Sequence, residues 1–170
     1  MTDEIQAINQ AVKAVADREG KYLTFALNEE EYGIGILTVK EIIGMMPITS
    51  VPQTPDFVKG VINLRGRVIP VVDLRSRFGM ETVVATDRTC IVVVEINLNG
   101  GKLTIGIVVD TVSEVLNIRA DSIEDAPVFG TNIDTSYILG MAKIEGGVKI
   151  LLDIDRVLSS EDLLSLSKAA

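Results

Sequence analysis

Gly60-Val61-Ile62-Asn63-Leu64-Arg65-Gly66-Arg67-Val68-Ile69-Pro70-Val71-Val72-Asp73-Leu74 returns 80 residues further on as Gly140-Met141-Ala142-Lys143-Ile144-Glu145-Gly146-Gly147-Val148-Lys149-Ile150-Leu151-Leu152-Asp153-Ile154. In the first copy two aliphatic runs flank Arg65-Gly66-Arg67, where the glycine permits a tight reversal, so the stretch reads as a β-hairpin. A second block repeats in the same order. Gly33-Ile34-Gly35-Ile36-Leu37-Thr38-Val39-Lys40-Glu41-Ile42-Ile43 aligns without a gap to Gly106-Ile107-Val108-Val109-Asp110-Thr111-Val112-Ser113-Glu114-Val115-Leu116, at an offset of 73. Two blocks that both recur, in the same order, are the mark of a duplicated architecture. Two similar halves of roughly 70 residues, each with about five short strands, predict an all-β protein of two small barrels rather than one large sheet.

Outward from these blocks, Tyr22 to Leu27 and Tyr32 to Ile36 form a further hairpin around Asn28 to Glu31, and others centre on Asn97 to Lys102 and on Glu145 to Gly147. A short helical turn is expected near Leu37 to Ile43 and another at Arg75 to Met80. Residues 81–88 lack apolar periodicity and are taken as the internal boundary. Ile5, Ile8, Val12 and Val15 lie at helical spacing, which predicts an amphipathic helix ending at Gly20. Ser159-Ser160-Glu161-Asp162 supplies a hydroxyl cap and an acidic first turn for a closing helix. The expected organisation is thus an extension over 1–20, one domain over 21–158 and a helix over 159–170. Within the domain, subdomains of about 21–85 and 86–158 share a common core.

Composition narrows the chemistry. Apolar residues make up 47% of the 170, aromatics only 4%, and Trp is absent, so the core must be aliphatic, which favours strands. A formal charge of −8 repels phosphate backbones and anionic lipid headgroups, which argues against nucleic-acid partners and membrane insertion. The chain has no histidine, which removes the commonest general base and zinc ligand along with every Ser-His or Cys-His nucleophile. The single Cys90 lies in an apolar run and cannot form an internal disulfide; with no signal peptide at the amino terminus, a reducing cytoplasm is expected. The three glutamates Glu29, Glu30 and Glu31 read as a solvated hairpin tip, and no cofactor or metal is predicted.

The repeat allows a comparison inside one molecule. Gly66 is kept as Gly146, as turn geometry requires, but Arg65 becomes Glu145. An exposed arginine at a hairpin tip offers a forked donor to a carboxylate, or else simply serves as a solvated turn residue. Glu41 and Glu114 are equivalent in the two expected helical turns, beside aliphatic residues that either pack between the barrels or line an exposed groove. Asp73 and Asp153, at matching strand ends, are expected to bond local backbone amides.

The long motif Asn63 to Arg75, together with Gly106 to Leu116, resembles the CheW family of chemotaxis coupling proteins, and the likeness runs from about Tyr22 to Leu158. The resemblance implies two SH3-like five-stranded β-barrels packed around a hydrophobic seam, with no catalytic activity. It implies two partners, the regulatory domain of the histidine kinase CheA and the cytoplasmic tip of methyl-accepting chemoreceptors. The protein would be a monomer when free and would be recruited to receptor arrays at the inner face of the membrane. Coupling is expected to involve Glu41, Gly60, Asn63, Leu64, Arg65 and Gly66, and a receptor groove is expected at Val39, Ile42, Ile43, Val109 and Val112. An adaptor of another chemosensory or two-component pathway is the alternative.

Overall fold

A computed structural model describes residues 18–98, 101–127 and 135–158; the helices expected over 1–20 and 159–170 lie almost entirely outside these residues. Among the described residues, eleven strands build two sheets. They are β1 (Gly20–Leu27), β2 (Glu30–Gly35), β3 (Val39–Gly44), β4 (Val58–Leu64), β5 (Arg67–Asp73), β6 (Cys90–Leu98), β7 (Gly101–Val109), β8 (Thr111–Ile118), β9 (Ile123–Glu124), β10 (Ile138–Ile144) and β11 (Gly147–Leu152). Two one-turn helices, α1 (Leu74–Arg77) and α2 (Ile154–Val157), follow β5 and β11. Asp73 and Asp153 cap them as expected, each Oδ1 accepting the backbone N–H two residues on, at 3.0 and 3.1 Å.

The strand orders are β8-β1-β2-β11-β10-β9 and β3-β6-β7-β5-β4. Apart from the two-residue β9, they are the same order under the sequence repeat, since β3 matches β8, β4 matches β10 and β5 matches β11. Even the one parallel pairing in each sheet is equivalent: Val71 lies opposite Gly106, and Leu151, its counterpart, lies opposite Gly33. The isolated Thr49–Val61 bridge stands where β9 pairs with Met141.

The sheets do not divide where the repeats do. The chain crosses between sheets at the 3₁₀ turn Ile36–Thr38 and again at Asp110, so residues 39–109 form the five-stranded sheet. The hairpin β1–β2 joins residues 111–152 in the other. Residues 81–88 separate the repeats but lie inside the first of these segments, in the connection between β5 and β6. Each repeat has lent its first hairpin to the other, which interlocks them.

Three apolar clusters follow from this arrangement. One fills the interior of each sheet: Ile62, Ile69, Val71, Ile91, Val93 and Val108 in the first, and Tyr22, Ile118, Ile123, Ala142 and Leu151 in the second. The largest lies between them, where Leu23, Phe25 and Ile34 meet Val92, Val94 and Ile107. Four of the seven aromatic side chains stack in a row through this seam: Phe25 on Tyr32 at 6.0 Å, Tyr32 on Phe78 at 6.0 Å, and Phe78 on Tyr137 at 5.2 Å.

One expectation fails. Leu37 to Ile43 is not a helical turn: only Ile36–Thr38 turns, and β3 begins at Val39. Its counterpart Thr111–Ile118 is likewise a strand. The β-branched Val39, Ile42 and Ile43 suit a pleated edge, and pairing with Ile91 to Val94 of β6 outweighs local turn propensity.

Candidate partner-binding surface

The turn between β4 and β5 is the two-residue reversal Arg65-Gly66, with φ of +52° and +87°, the pattern of a type I′ hairpin turn. Asn63 Oδ1 accepts the Gly66 N–H at 2.9 Å and braces it. Glycine or asparagine would sit at position 65 with less strain, because a left-handed conformation costs other side chains about 1–2 kcal/mol. The arginine is held there by its side chain. Its Nη1 and Nη2 donate to Glu41 Oε1 and Oε2 at 2.7 and 2.8 Å, a forked pair.

Glu41 belongs to β3 and Arg65 follows β4, the two outer strands of one sheet. The pair therefore ties together edges that no ladder joins. Hydrogen bonds from Arg65 hold the Glu41 carboxyl below its ordinary range. The two residues that the family likeness nominated separately are thus one unit, with Glu41 on a strand rather than the expected helix.

Around this clamp lies an open groove of about 400 Å³ whose floor is Leu64, Ile69 and Val93. Its rim carries Lys40, Arg67 and Lys102. Glu95 takes Lys40 at 2.7 Å and Lys102 at 3.2 Å, and these two partners hold its carboxyl low. Four basic groups face two acidic ones here, on a chain whose net charge is −8.

The remaining nominated residues divide by role. Gly60 has φ of +141° and packs so closely that a Cβ would lie 2.0 Å from the Thr49 carbonyl oxygen, which makes it a backbone spacer. Leu64 packs against the interior of the first sheet, and Ile43 does the same. Val39 and Val112 rest on the central seam with part of their surface exposed, and Ile42 is 43% exposed beside them. Val109 does not reach a groove: it is 1% exposed inside the seam core, on the inward face of β7. Val115, the repeat partner of Ile42, is 50% exposed, so both outer strands present an aliphatic side chain at the border of the seam.

The motifs did not announce Lys40, Glu95 and Lys102, because their contribution comes from three strands meeting at one mouth. The available signal was alternation: Glu95 and Lys102 flank the tip of the Asn97 to Lys102 hairpin and point to the same side as Val93.

Two interlocked sheets with a charged mouth and a half-exposed aliphatic seam define a two-barrel protein-interaction module. Comparison with known proteins gives the module its family. A CheW-like domain matches residues 21–162. The chemotaxis protein CheW of Klebsiella aerogenes is 42% identical over 150 residues, spanning 88% of each chain. That of Treponema pallidum is 33% identical over 156 residues, 91% of each chain. Among solved structures, the scaffolding protein CheW of Thermoanaerobacter tengcongensis superposes with a TM-score of 0.74 at 38% identity, covering 86% of this chain and 98% of its own. The chain belongs to the CheW family of chemotaxis adaptor proteins, and its two SH3-like halves are the fold of that family.

Proposed function

We propose that this protein is a non-enzymatic, cytoplasmic coupler that joins the cytoplasmic tip of methyl-accepting chemoreceptors to the regulatory domain of the kinase CheA. The observation that carries the proposal is the Glu41–Arg65 clamp, a strained and exposed arginine kept at a turn where glycine would suffice, shaping a basic groove on an acidic chain. Strain at an exposed turn is retained where the side chain has work at a surface. Membership of a family of chemotaxis adaptors supports partners of this kind, and the aliphatic border formed by Val39, Ile42, Val112 and Val115 offers a dry strip for a receptor helix.

The mechanism is scaffolding. Holding kinase and receptor together raises their effective concentration for one another. Transmission of a signal further requires that the coupler bind one signalling state of a partner more tightly than the other, because equal affinity shifts no population.

The test is reconstitution. Receptor-bearing membranes and CheA are mixed with the parent protein or with Arg65→Glu, and co-sedimentation and kinase activity are measured. The parent should bring CheA to the pellet and alter its activity; Arg65→Glu, which sets a carboxylate against Glu41, should do so less. No effect of the parent on either quantity would end the proposal.

A further inference from the structure

The sequence repeat also pairs two places where the sheets are joined, and they are joined differently. Thr24 lies opposite Gly33 and Val93 opposite Gly106, so Asn28 and Asn97, four residues further along each hairpin, are equivalent. Each sends its backbone N–H to a carboxylate at 2.9 Å, Asn28 to Asp110 and Asn97 to Asp155. Asp110 lies at the crossing from β7 to β8, and Asp155 lies in α2, after β11 of the other sheet. Both contacts therefore tie a hairpin tip of one sheet to a residue at the end of the other.

The surroundings of the two carboxylates are not alike. The first junction carries Lys59, Asp73, Arg75 and Asp110, and the repeat puts Leu139, Asp153, Asp155 and Leu37 at the same places in the second. In the first set the signs alternate. Lys59 lies 3.6 Å from Asp73, Arg75 forks onto Asp110 with Nε and Nη2 at 2.6 and 2.5 Å, and its Nη1 donates to the Glu81 carbonyl at 3.1 Å. The Arg75 side chain is only 12% exposed, so the fork is shielded from water. In the second set aliphatic residues replace Lys59 and Asp110, and two carboxylates remain. Asp155 takes the place of Arg75 and receives Asn97 directly, through its backbone N–H and through Nδ2 at 3.0 Å. The exposed Arg156 reaches Asp153 at 3.5 Å. Leu37, at the place of Asp110, is 98% exposed.

We propose that the two junctions are a pivot and a release: the sheets stay joined at Asp110 and part first at Asp155. A shielded, charge-assisted fork is the stronger kind of contact, and an exposed contact between one asparagine and one carboxylate is the weaker. Opening at Asp155 frees the β6–β7 tip and α2, whose Ile154 and Val157 pack in the seam, without breaking a ladder in either sheet. The seam then widens on the side of Leu37, and a partner that prefers one width would select it. The inference concerns the chain by itself and does not rest on the coupling role.

Native-state hydrogen exchange on the full chain, followed by NMR, tests it. Both asparagines follow an aliphatic residue, so their unprotected rates are close and a difference reports on the junctions. The Asn97 amide should exchange about tenfold faster than that of Asn28. A release further requires that Asn97, Asp155 and Arg156, whose amides bond Asp155 or Asp153, share one opening, while Asn28, Arg75 and Asp110 form a better protected group. Leu37→Asp with Asp155→Arg transplants the fork to the second junction and should slow Asn97 toward the rate of Asn28. Asp155→Ala should speed Asn97 and leave Asn28 unchanged. Equal protection of the two asparagines in the parent, exchange of Asn97 independent of Asp155 and Arg156, or a folded transplant with the parent's Asn97 rate would overturn the proposal.

Discussion

Replacing Gly60 with alanine separates a backbone role from a binding role at a position that the family likeness places among the coupling residues. The new Cβ would sit 2.0 Å from the Thr49 carbonyl oxygen, 2.7 Å from its carbon and 3.0 Å from Ser50 Cα. All three are backbone atoms, so no side-chain rotation relieves the contact. Residues 49–50 must retreat by more than 1 Å to reach an ordinary van der Waals distance of about 3.5 Å. That retreat strains both hydrogen bonds of the isolated bridge, Thr49 N–H to the Val61 carbonyl and Val61 N–H to the Thr49 carbonyl, each 2.9 Å. Two bonds at about 1 kcal/mol each, and about 1–2 kcal/mol for alanine at positive φ, predict a loss of about 3–4 kcal/mol. Urea unfolding followed by circular dichroism measures it as a fall in midpoint at constant slope. Gly33→Ala is the control: there the nearest contact is a side-chain methyl, Leu151 Cδ2 at 3.0 Å, in place of backbone, and the cost should be smaller. If Gly60→Ala unfolds at the parent's midpoint yet no longer couples kinase to receptor, the spacer argument is wrong and Gly60 contacts a partner directly.

Further outcomes follow from single contacts. Thr24, fully buried at the bulge between β1 and β8, donates its hydroxyl to the Glu114 carbonyl at 2.9 Å and accepts the Glu114 N–H at 3.1 Å; Thr24→Val should cost about 2–4 kcal/mol in urea unfolding, and Thr24→Ser much less. Asp110 is gripped by Arg75, whose hydrogen bonds push its carboxyl below the ordinary range, with a further bond from the Asn28 N–H. A carboxyl lowered by folding stabilises the protein above its unfolded pKa of about 3.9 and stops doing so as pH falls through the lowered value, so Asp110→Asn should flatten the acid limb of a stability–pH profile. Asp153 is shifted the other way, raised by burial and by Asp155. Folding therefore disfavours its charged form, and Asp153→Asn, which keeps the capping oxygen, should be at least as stable as the parent at neutral pH in thermal melts. At the clamp, Glu41→Arg and Arg65→Glu should each weaken co-sedimentation with CheA, and the double exchange should recover part of it if the pair acts by closing the barrel mouth.

Strands, turns and the duplication were legible in the sequence because they are local or periodic. Alternating aliphatics mark strands whatever they pair with, and Arg65-Gly66 demands a reversal wherever it sits. Asp73 and Asp153 could be read as caps because the amides they bond lie two residues away. Val39 to Ile43 was misjudged as helical for the complementary reason: its fate depended on β6, some fifty residues downstream.

The sequence alone determined that there would be two similar aliphatic β-units and no histidine chemistry. It did not decide which hairpin belongs to which unit. Because the halves are alike, the strand pattern is compatible with β1–β2 beside β5 or beside β11, and the short crossings at Ile36–Thr38 and Asp110 carry the chain into the exchanged arrangement. The same holds for the site. Charge at a strand end has no partner until the sheet curls, and it was the approach of β3 to the β4–β5 turn that turned Glu41 and Arg65 into a clamp, while their repeat counterparts Glu114 and Glu145 line one groove on the other sheet.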